Sequence, residues 1–256
     1  MIRAIIPVYN RPQEAEEILA SLARQSFRNF AVVVVEDGSS VDCRAVAEGF
    51  RDALNLAYLV KPNGGPASAR NFGVREGCDR CDDFLVFLDS DCILPERYME
   101  TVRRAVEGGT EFFGGADMAS RDFSPMQRAV SYSMTSLFTT GGIRGGRRGG
   151  FIPRSFNMGV TRRLFDAVGG FSDMRFGEDI DFSMKVLQTG AEAVLLDGAE
   201  VCHKRRTDMR SFFRQVFHSG IARINLSLRH PGSLKPLHIL PAFFLAGSLA
   251  CLAAAA

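Results

Sequence analysis

A mostly parallel α/β sheet with helices on both faces is the fold class this sequence predicts, and three observations predict it. Short runs rich in Ile and Val lack the polar alternation of a one-sided sheet, so both of their faces must be covered. Between those runs, apolar residues recur at helical spacing. Four such strands and the helices separating them all precede Asp89, a rhythm that argues for a doubly wound sheet.

The elements follow in order. Ile2 to Val8 is a strand, since Pro7 interrupts an apolar stretch too short for a signal segment. Next, Q-E-A-E-E-I-L-A-S-L-A-R-Q-S sets Ile18, Leu19, Leu22 and Ala23 on one helical face, and Pro12 stands where a first helical turn tolerates proline. Phe30 to Val35 then completes a βαβ unit. A helix near Cys43 to Leu54, a strand from Leu56 to Val60, a helix from Pro66 to Arg75 and a strand from Phe84 to Leu88 continue the pattern. Beyond these, Glu111 to Ala116 predicts a further strand and Pro125 to Phe138 a helix. The segment G-G-I-R-G-G-R-R-G-G reads as a solvated loop, either closing over an anionic ligand or serving as a connector.

Bulk properties limit the function classes. The chain has 256 residues, 46% of them hydrophobic, enough for one generous core or two small ones, and the alternation of elements favours one main domain with an appended C-terminal segment. Its 31 basic and 29 acidic residues leave a net charge of +2, no field for a polyanion, and no nucleic-acid partner is expected. Six irregularly spaced cysteines suit a reducing, intracellular setting. Cys78 and Cys81 form a lone C-x-x-C with no second pair to complete a zinc site, which favours a surface turn.

The C-terminal part has a different character. The segment 206–235 mixes Phe212, Phe213, Val216, Phe217 and Ile224 with Arg210, Arg214 and Arg223. It reads as a core-packed helix with a wet face, or as an interfacial helix leading to a membrane-presented acceptor. The tail 236–256 lacks Asp, Glu, Lys and Arg over about the 20 residues one membrane crossing needs. It is expected to begin a transmembrane helix, the alternative being a terminal helix packed on the domain. Arg229, His230 and Lys235 would place the domain on the cytoplasmic face of the membrane.

In a doubly wound sheet the ligand lies beyond the carboxyl ends of the strands. Those ends carry Pro7, Tyr9 and Asn10; Glu36, Asp37 and Ser39; Lys61, Asn63 and Gly64; and Asp89, Ser90 and Asp91. Residues i and i+2 of an extended segment share a side, so Asp89 and Asp91 can present oxygens to one hard cation, Mn2+ or Mg2+, bridging to a diphosphate. Asp37 could accept from a base N–H or a ribose hydroxyl, while the glycine pair Gly64-Gly65 would direct free amides toward the same rim. Arg70 could reach the nucleotide or Asp37. Glu178 and Asp179 open a helix, as acids matching its dipole or as a catalytic pair. His203 stands beside Lys204, Arg205 and Arg206, either a third metal ligand with diphosphate-binding cations or a solvated basic turn.

Six ordered stretches, P-V-Y-N-R, V-V-V-V-E-D-G-S-S, N-G-G-P-A-S-A-R-N-F-G, F-L-D-S-D, N-M-G-V-T-R-R-L-F-D-A-V-G-G-F and G-E-D-I-D-F, resemble the family 2 glycosyltransferases from about Ile5 to Gly190. The resemblance implies a GT-A fold within 1–205, with a nucleotide-binding half over about 1–115 and an acceptor-binding half over about 116–205. It implies that Tyr9, Asp37 and Arg70 contact the nucleoside of a sugar nucleotide, UDP-linked, with Pro7, Asn63, Asp89 and Ser90 in the same pocket. It further implies that Asp89 and Asp91 belong to the metal motif and that Asp179 is the base, with Glu178 orienting it or exchanging roles. Asn157 and Met158 enter the acceptor wall by this analogy alone.

Inverting glycosyl transfer needs a base at the acceptor hydroxyl and a Lewis acid at the leaving diphosphate, which suits those assignments. Processive members carry a Gln-x-x-Arg-Trp segment, and this chain has no tryptophan, so one sugar per encounter is expected, delivered to a glycan or lipid-linked acceptor. Two other readings stay open. Sugar-1-phosphate nucleotidyltransferases begin with a glycine-rich loop where this chain has P-V-Y-N-R-P. A nucleotide-sugar-binding or assembly module without turnover would share the pocket.

Overall fold

In a computed structural model of the chain, the structure describes residues 1–78, 80–118, 132, 151–203, 209–234 and 238–255. Strand β1 (Ile2–Val8) pairs in parallel with β2 (Phe30–Asp37) on one side and with β4 (Phe84–Leu88) on the other. β3 (Asn55–Lys61) extends the parallel set beyond β2. All eight residues of β2 are buried, which is why its sequence shows no alternation.

The helices cover both faces. α1 (Pro12–Ala23) buries Ile18, Leu19 and Leu22 against one face, followed by the short α2 (Arg44–Gly49). α3 (Gly65–Gly77) lies on the other, where Gly73 lets it approach closely: a Cβ there would stand 2.8 Å from a Val35 methyl and 2.9 Å from an Ile5 methyl. Beneath it the rings of Phe87, Phe165, Phe171 and Phe182 pack with centroids 4.5 to 6.1 Å apart. Such pairs add about 0.5–1.5 kcal/mol each beyond their buried area.

The sheet continues past β4 in a way the sequence rhythm did not disclose. β8 (Asn157–Thr161) is inserted antiparallel between β4 and β6 (Phe112–Gly114), and β9 (Val194–Leu195) pairs in parallel with β6, giving the seven-stranded order β3-β2-β1-β4-β8-β6-β9. A small second sheet joins β5 (Cys92–Ile93), β10 (Val201–His203) and β7 (Asp117–Met118) in that order. α4 (Tyr98–Glu107), α5 (Arg162–Ala167), α6 (Glu178–Gln188), α7 (Met209–Arg229) and α8 (Leu240–Ala255) complete the described elements. The strand expected over Glu111 to Ala116 is the shorter β6. The helix expected over Pro125 to Phe138 and the glycine–arginine loop lie outside the described residues.

Among the described residues, no helix is long and apolar enough to cross a membrane. α8 has 16 residues and begins at Leu240, with Pro241 in its first turn.

Candidate active site

The carboxyl ends of β1, β2 and β4 open on one cavity of about 1470 Å³, closed on its far side by the turn before α6 and one face of α7. That is room for more than one drug-sized ligand. Its floor is rigid because neighbouring loops are pinned together. Asn10, with φ of 53°, accepts at Oδ1 from the Ser40 amide (2.8 Å) and the Val41 amide (3.1 Å), and its own amide donates to Ser39 Oγ (2.7 Å). Glu36 is buried and accepts from the Cys43 amide (2.8 Å), Tyr58 Oη (3.0 Å) and Ser39 Oγ, so it is part of the scaffold.

Asp37 lines the cavity but is almost wholly committed. It accepts from Lys61 Nζ at 2.6 Å, the Gly64 amide at 3.0 Å, the Gly65 amide at 2.8 Å and Asn63 Nδ2 at 3.2 Å. This corrects the expectation of free amides at the start of α3: the carboxylate of β2 already caps them. Asn63 also lines the cavity, as do Pro7 and the half-exposed Tyr9.

Arg70 is the residue that joins the two acidic motifs. Its side chain is 3% exposed, lies over the Phe171 ring at 5.4 Å, and donates through Nη2 to Asp89 Oδ1 (2.6 Å) and through Nη1 to Glu178 Oε1 (3.4 Å). It does not reach Asp37, where Lys61 supplies the cation instead. Asp91 is matched by Arg11 Nη1 at 2.8 Å, and Ser90 between them is buried.

Gly177, with φ of +85°, turns the chain so that Glu178 and Asp179 enter the cavity from the first turn of α6. Asp179 accepts from Arg154 Nε at 2.5 Å. Burial would push the Asp179 carboxyl up, but the charge and hydrogen bond of Arg154, aided by Arg70, hold it below the usual carboxylate range. Burial and the Asp179 charge push Glu178 up, against the opposing pull of Arg70. The two neighbouring acids are thereby driven apart, the pattern by which sites assign different protonation states to adjacent carboxyls.

Other predicted residues fall elsewhere. Asn157 is fully buried in β8, accepting from Tyr98 Oη (2.7 Å) and donating to the Ala199 carbonyl (2.7 Å). Met158 is fully buried in the apolar cluster around Phe87 and Phe182. Neither lines the cavity: the amide ties the sheet to α4 and the thioether fills the core. The backbone of His203 pairs with Cys92 in β10, while its side chain and Lys204, Arg205 and Arg206 lie outside the described residues. Cys78 is buried and Cys81 exposed.

Arg11, Lys61, Arg154 and Arg223 also line the cavity and were not singled out as site residues from the sequence. Isolated arginines carry no local signal of what they face. A divalent cation suits Asp89 and Asp91 chemically, since both are hard-oxygen donors two residues apart on the cavity wall. No group of three or more His, Cys, Asp or Glu residues among those described could hold a metal.

Comparison with known proteins is decisive for the family. Residues 4–169 match the family described as Glycosyl transferase family 2. The chain belongs to glycosyl transferase family 2. Within it, the pre-mycofactocin glycosyltransferase of Mycobacterium tuberculosis is 29% identical over 249 residues, covering 93% of this chain and 50% of that protein. Glycosyltransferase AglE of Haloferax volcanii is 23% identical over 254 residues, covering 97% of this chain and 81% of that protein. The chain thus spans half the length of the mycobacterial relative, and it spans 16% of an uncharacterized glycosyltransferase of Rickettsia bellii that is 32% identical over 112 residues.

Solved structures of GT-A glycosyltransferases share the fold. The mannosyltransferase PcManGT from Pyrobaculum calidifontis, in complex with GDP-Man and Mn2+, superposes with a TM-score of 0.70 at 20% identity, covering 100% of this chain and 75% of that one. S. aureus TarS 1-349 in complex with UDP-GlcNAc gives 0.63 at 22% identity, covering 93% and 68%.

Proposed function

We propose that this chain is an inverting, metal-dependent glycosyltransferase that moves a single sugar from a nucleoside-diphosphate sugar to an acceptor hydroxyl. The observation that carries the reading is Arg70, which touches Asp89 of one acidic motif and Glu178 of the other, so that both motifs serve one cavity. The nucleoside lies among Pro7, Tyr9, Asp37 and Asn63, and the diphosphate lies toward Asp89, Ser90 and Asp91. Mn2+ or Mg2+ held by Asp89 and Asp91 supplies, when bound, neutralisation of the departing diphosphate oxygens. Asp179 receives the proton of the acceptor hydroxyl on the opposite side of the anomeric carbon. Its ionised form is secured by Arg154, and the low-dielectric surroundings strengthen that control.

Calorimetry with UDP and GDP, with and without Mn2+, tests the donor half of the reading. Asp91→Ala should abolish the metal enhancement of nucleotide binding. Asp179→Asn should bind nucleotide normally and lose transfer by about 10²–10⁴-fold. Full activity in Asp179→Asn would remove the base assignment. Nucleotide binding without turnover across a broad acceptor panel would favour a non-catalytic module.

The same reading places the enzyme at the cytoplasmic face of a membrane, with a glycan or lipid-linked acceptor. Its support is an exposed apolar stripe on α7, Phe213, Phe217, Ile224 and Leu228, and the exposed Phe243, Phe244 and Leu245 of α8. A large apolar patch left in water is a binding surface in most soluble proteins. Replacing Phe213 and Phe217 with serine should lower co-sedimentation with anionic vesicles and leave nucleotide affinity unchanged. Equal co-sedimentation would remove the membrane assignment.

A further inference from the structure

Helix α7 presents Arg214, Gln215, His218, Ser219, Ala222 and Arg223 to the cavity, spaced as one helical face. Its position beside α6 is set by several independent contacts. A Cβ at Gly177 would stand 3.0 Å from the Ala222 Cβ, so the turn that delivers Glu178 and Asp179 lies directly against α7. Leu226 packs with Met174 and Ile180. His230, just past the helix, contacts Asp181 through Nε2 at 2.9 Å and Gln188 through Nδ1 at 3.3 Å. His218 stacks on Phe176 with centroids 4.0 Å apart.

The charges in the cavity are unevenly matched. Asp37 faces Lys61, Asp89 and Glu178 face Arg70, Asp91 faces Arg11, and Asp179 faces Arg154. Among the described residues, neither Arg214 nor Arg223 has a carboxylate within ion-pair distance. Burial and the neighbouring Arg154 charge lower the pKa of Arg223, with Asp179 opposing. A cation held beside another cation in a partly buried wall is stabilised by any anion that enters.

The location of this excess charge identifies which substrate it serves. The donor's nucleoside and diphosphate are accounted for at the opposite wall, by the ends of β1, β2 and β4 and by Arg70. Arg223 lies on the side of Asp179, whose charge acts on it and where the hydroxyl that loses its proton must sit, and Arg214 lines the same cavity about two and a half turns earlier on α7. They also fall outside residues 4–169, the part of the chain that matches the family.

We infer that Arg223 and Arg214 hold an anionic group, a phosphate or carboxylate, carried by the acceptor. The inference rests on the glycosyl-transfer reading and narrows its acceptor class. A hydroxyl presented to Asp179 would thus belong to a molecule anchored through its negative charge, either soluble or borne on a lipid. Charge-assisted hydrogen bonds from guanidinium would give both affinity and orientation.

The test separates acceptor from donor. The chain is saturated with UDP and Mn2+ and titrated with inorganic phosphate, and in parallel with phosphatidylcholine vesicles with and without phosphatidic acid. Phosphate or phosphatidic-acid binding by the nucleotide-loaded chain is expected, weakened by roughly tenfold or more in Arg223→Gln and in Arg214→Gln, retained in Arg223→Lys, with UDP affinity unchanged in all three. The probe that binds identifies the soluble or lipid source. A matching fall in UDP affinity in the glutamine variants would assign these cations to the donor and overturn the inference. So would anion binding that the variants leave intact, or none by the nucleotide-loaded chain. Failure of the unmodified chain to bind any nucleoside diphosphate would instead strike the glycosyl-transfer reading, and this inference with it.

Discussion

Asp37 shows how one carboxylate can serve the scaffold and still face a ligand cavity. Its oxygens satisfy Lys61, two backbone amides at the start of α3 and the Asn63 amide. Asp37→Ala would leave the largely buried Lys61 ammonium without its counter-ion and two amides unmatched, which should cost about 3–5 kcal/mol, measurable by urea unfolding. Arg154 offers a sharper functional prediction. Because its charge holds Asp179 below the usual carboxylate range, Arg154→Ala should raise that pKa and move the acid limb of the transfer rate to higher pH. An unmoved limb would point to Glu178, whose carboxyl is already pushed up, as the group taking the proton. The stability consequence has a definite sign. A carboxyl depressed in the folded chain contributes stability above its unfolded pKa and loses it as pH falls through the folded value. The Asp179–Arg154 contribution is therefore present at neutral pH and disappears in acid.

At the scale of elements, the close approaches of helices decide whether the site is assembled. Gly177 combines a left-handed φ of +85° with a contact to Ala222 of α7. Gly177→Ala should destabilise the fold by about 1–3 kcal/mol from strain and overpacking, seen as a lower midpoint in urea. It should also lower kcat more than nucleotide affinity, because it displaces Glu178 and Asp179 from a donor wall that stays intact. α3 depends on Gly73 in the same way. A side chain there would collide with Val35 and Ile5 under the helix that carries Arg70.

For the molecule as a whole, much was legible in the chain and some was not, and the division follows sequence distance. β1 through β4 could be read because apolar runs and helical spacing are properties of neighbouring residues. The rim acids could be placed because they directly follow those strands. The insertion of β8 between β4 and β6 had no such signature, since a short antiparallel strand returning from far along the chain looks like any apolar segment. Asn157 shows the same limit: a lone amide in a motif does not reveal that Tyr98 and Ala199 will satisfy it in the interior. Nor did α3 announce that Asp37, 27 residues before Gly64, would take up its amides. Chelating divalent metal from the intact chain should weaken nucleotide binding while leaving the fold unchanged, because the acids already have arginine partners without it.

The sequence by itself determined the alternation of strand and helix, the order of the acidic motifs, and which strand ends would carry them. Only the tertiary structure decided which charges meet: that Arg70 would leave Asp37 to Lys61 and span Asp89 and Glu178, 108 residues beyond it, and that α7 would bring two more arginines to the same cavity. The physical reason is that periodicity arises from bonded geometry over a few residues. Electrostatic partnership arises only when closure of the sheet and packing of distant helices bring side chains within a few ångströms of one another.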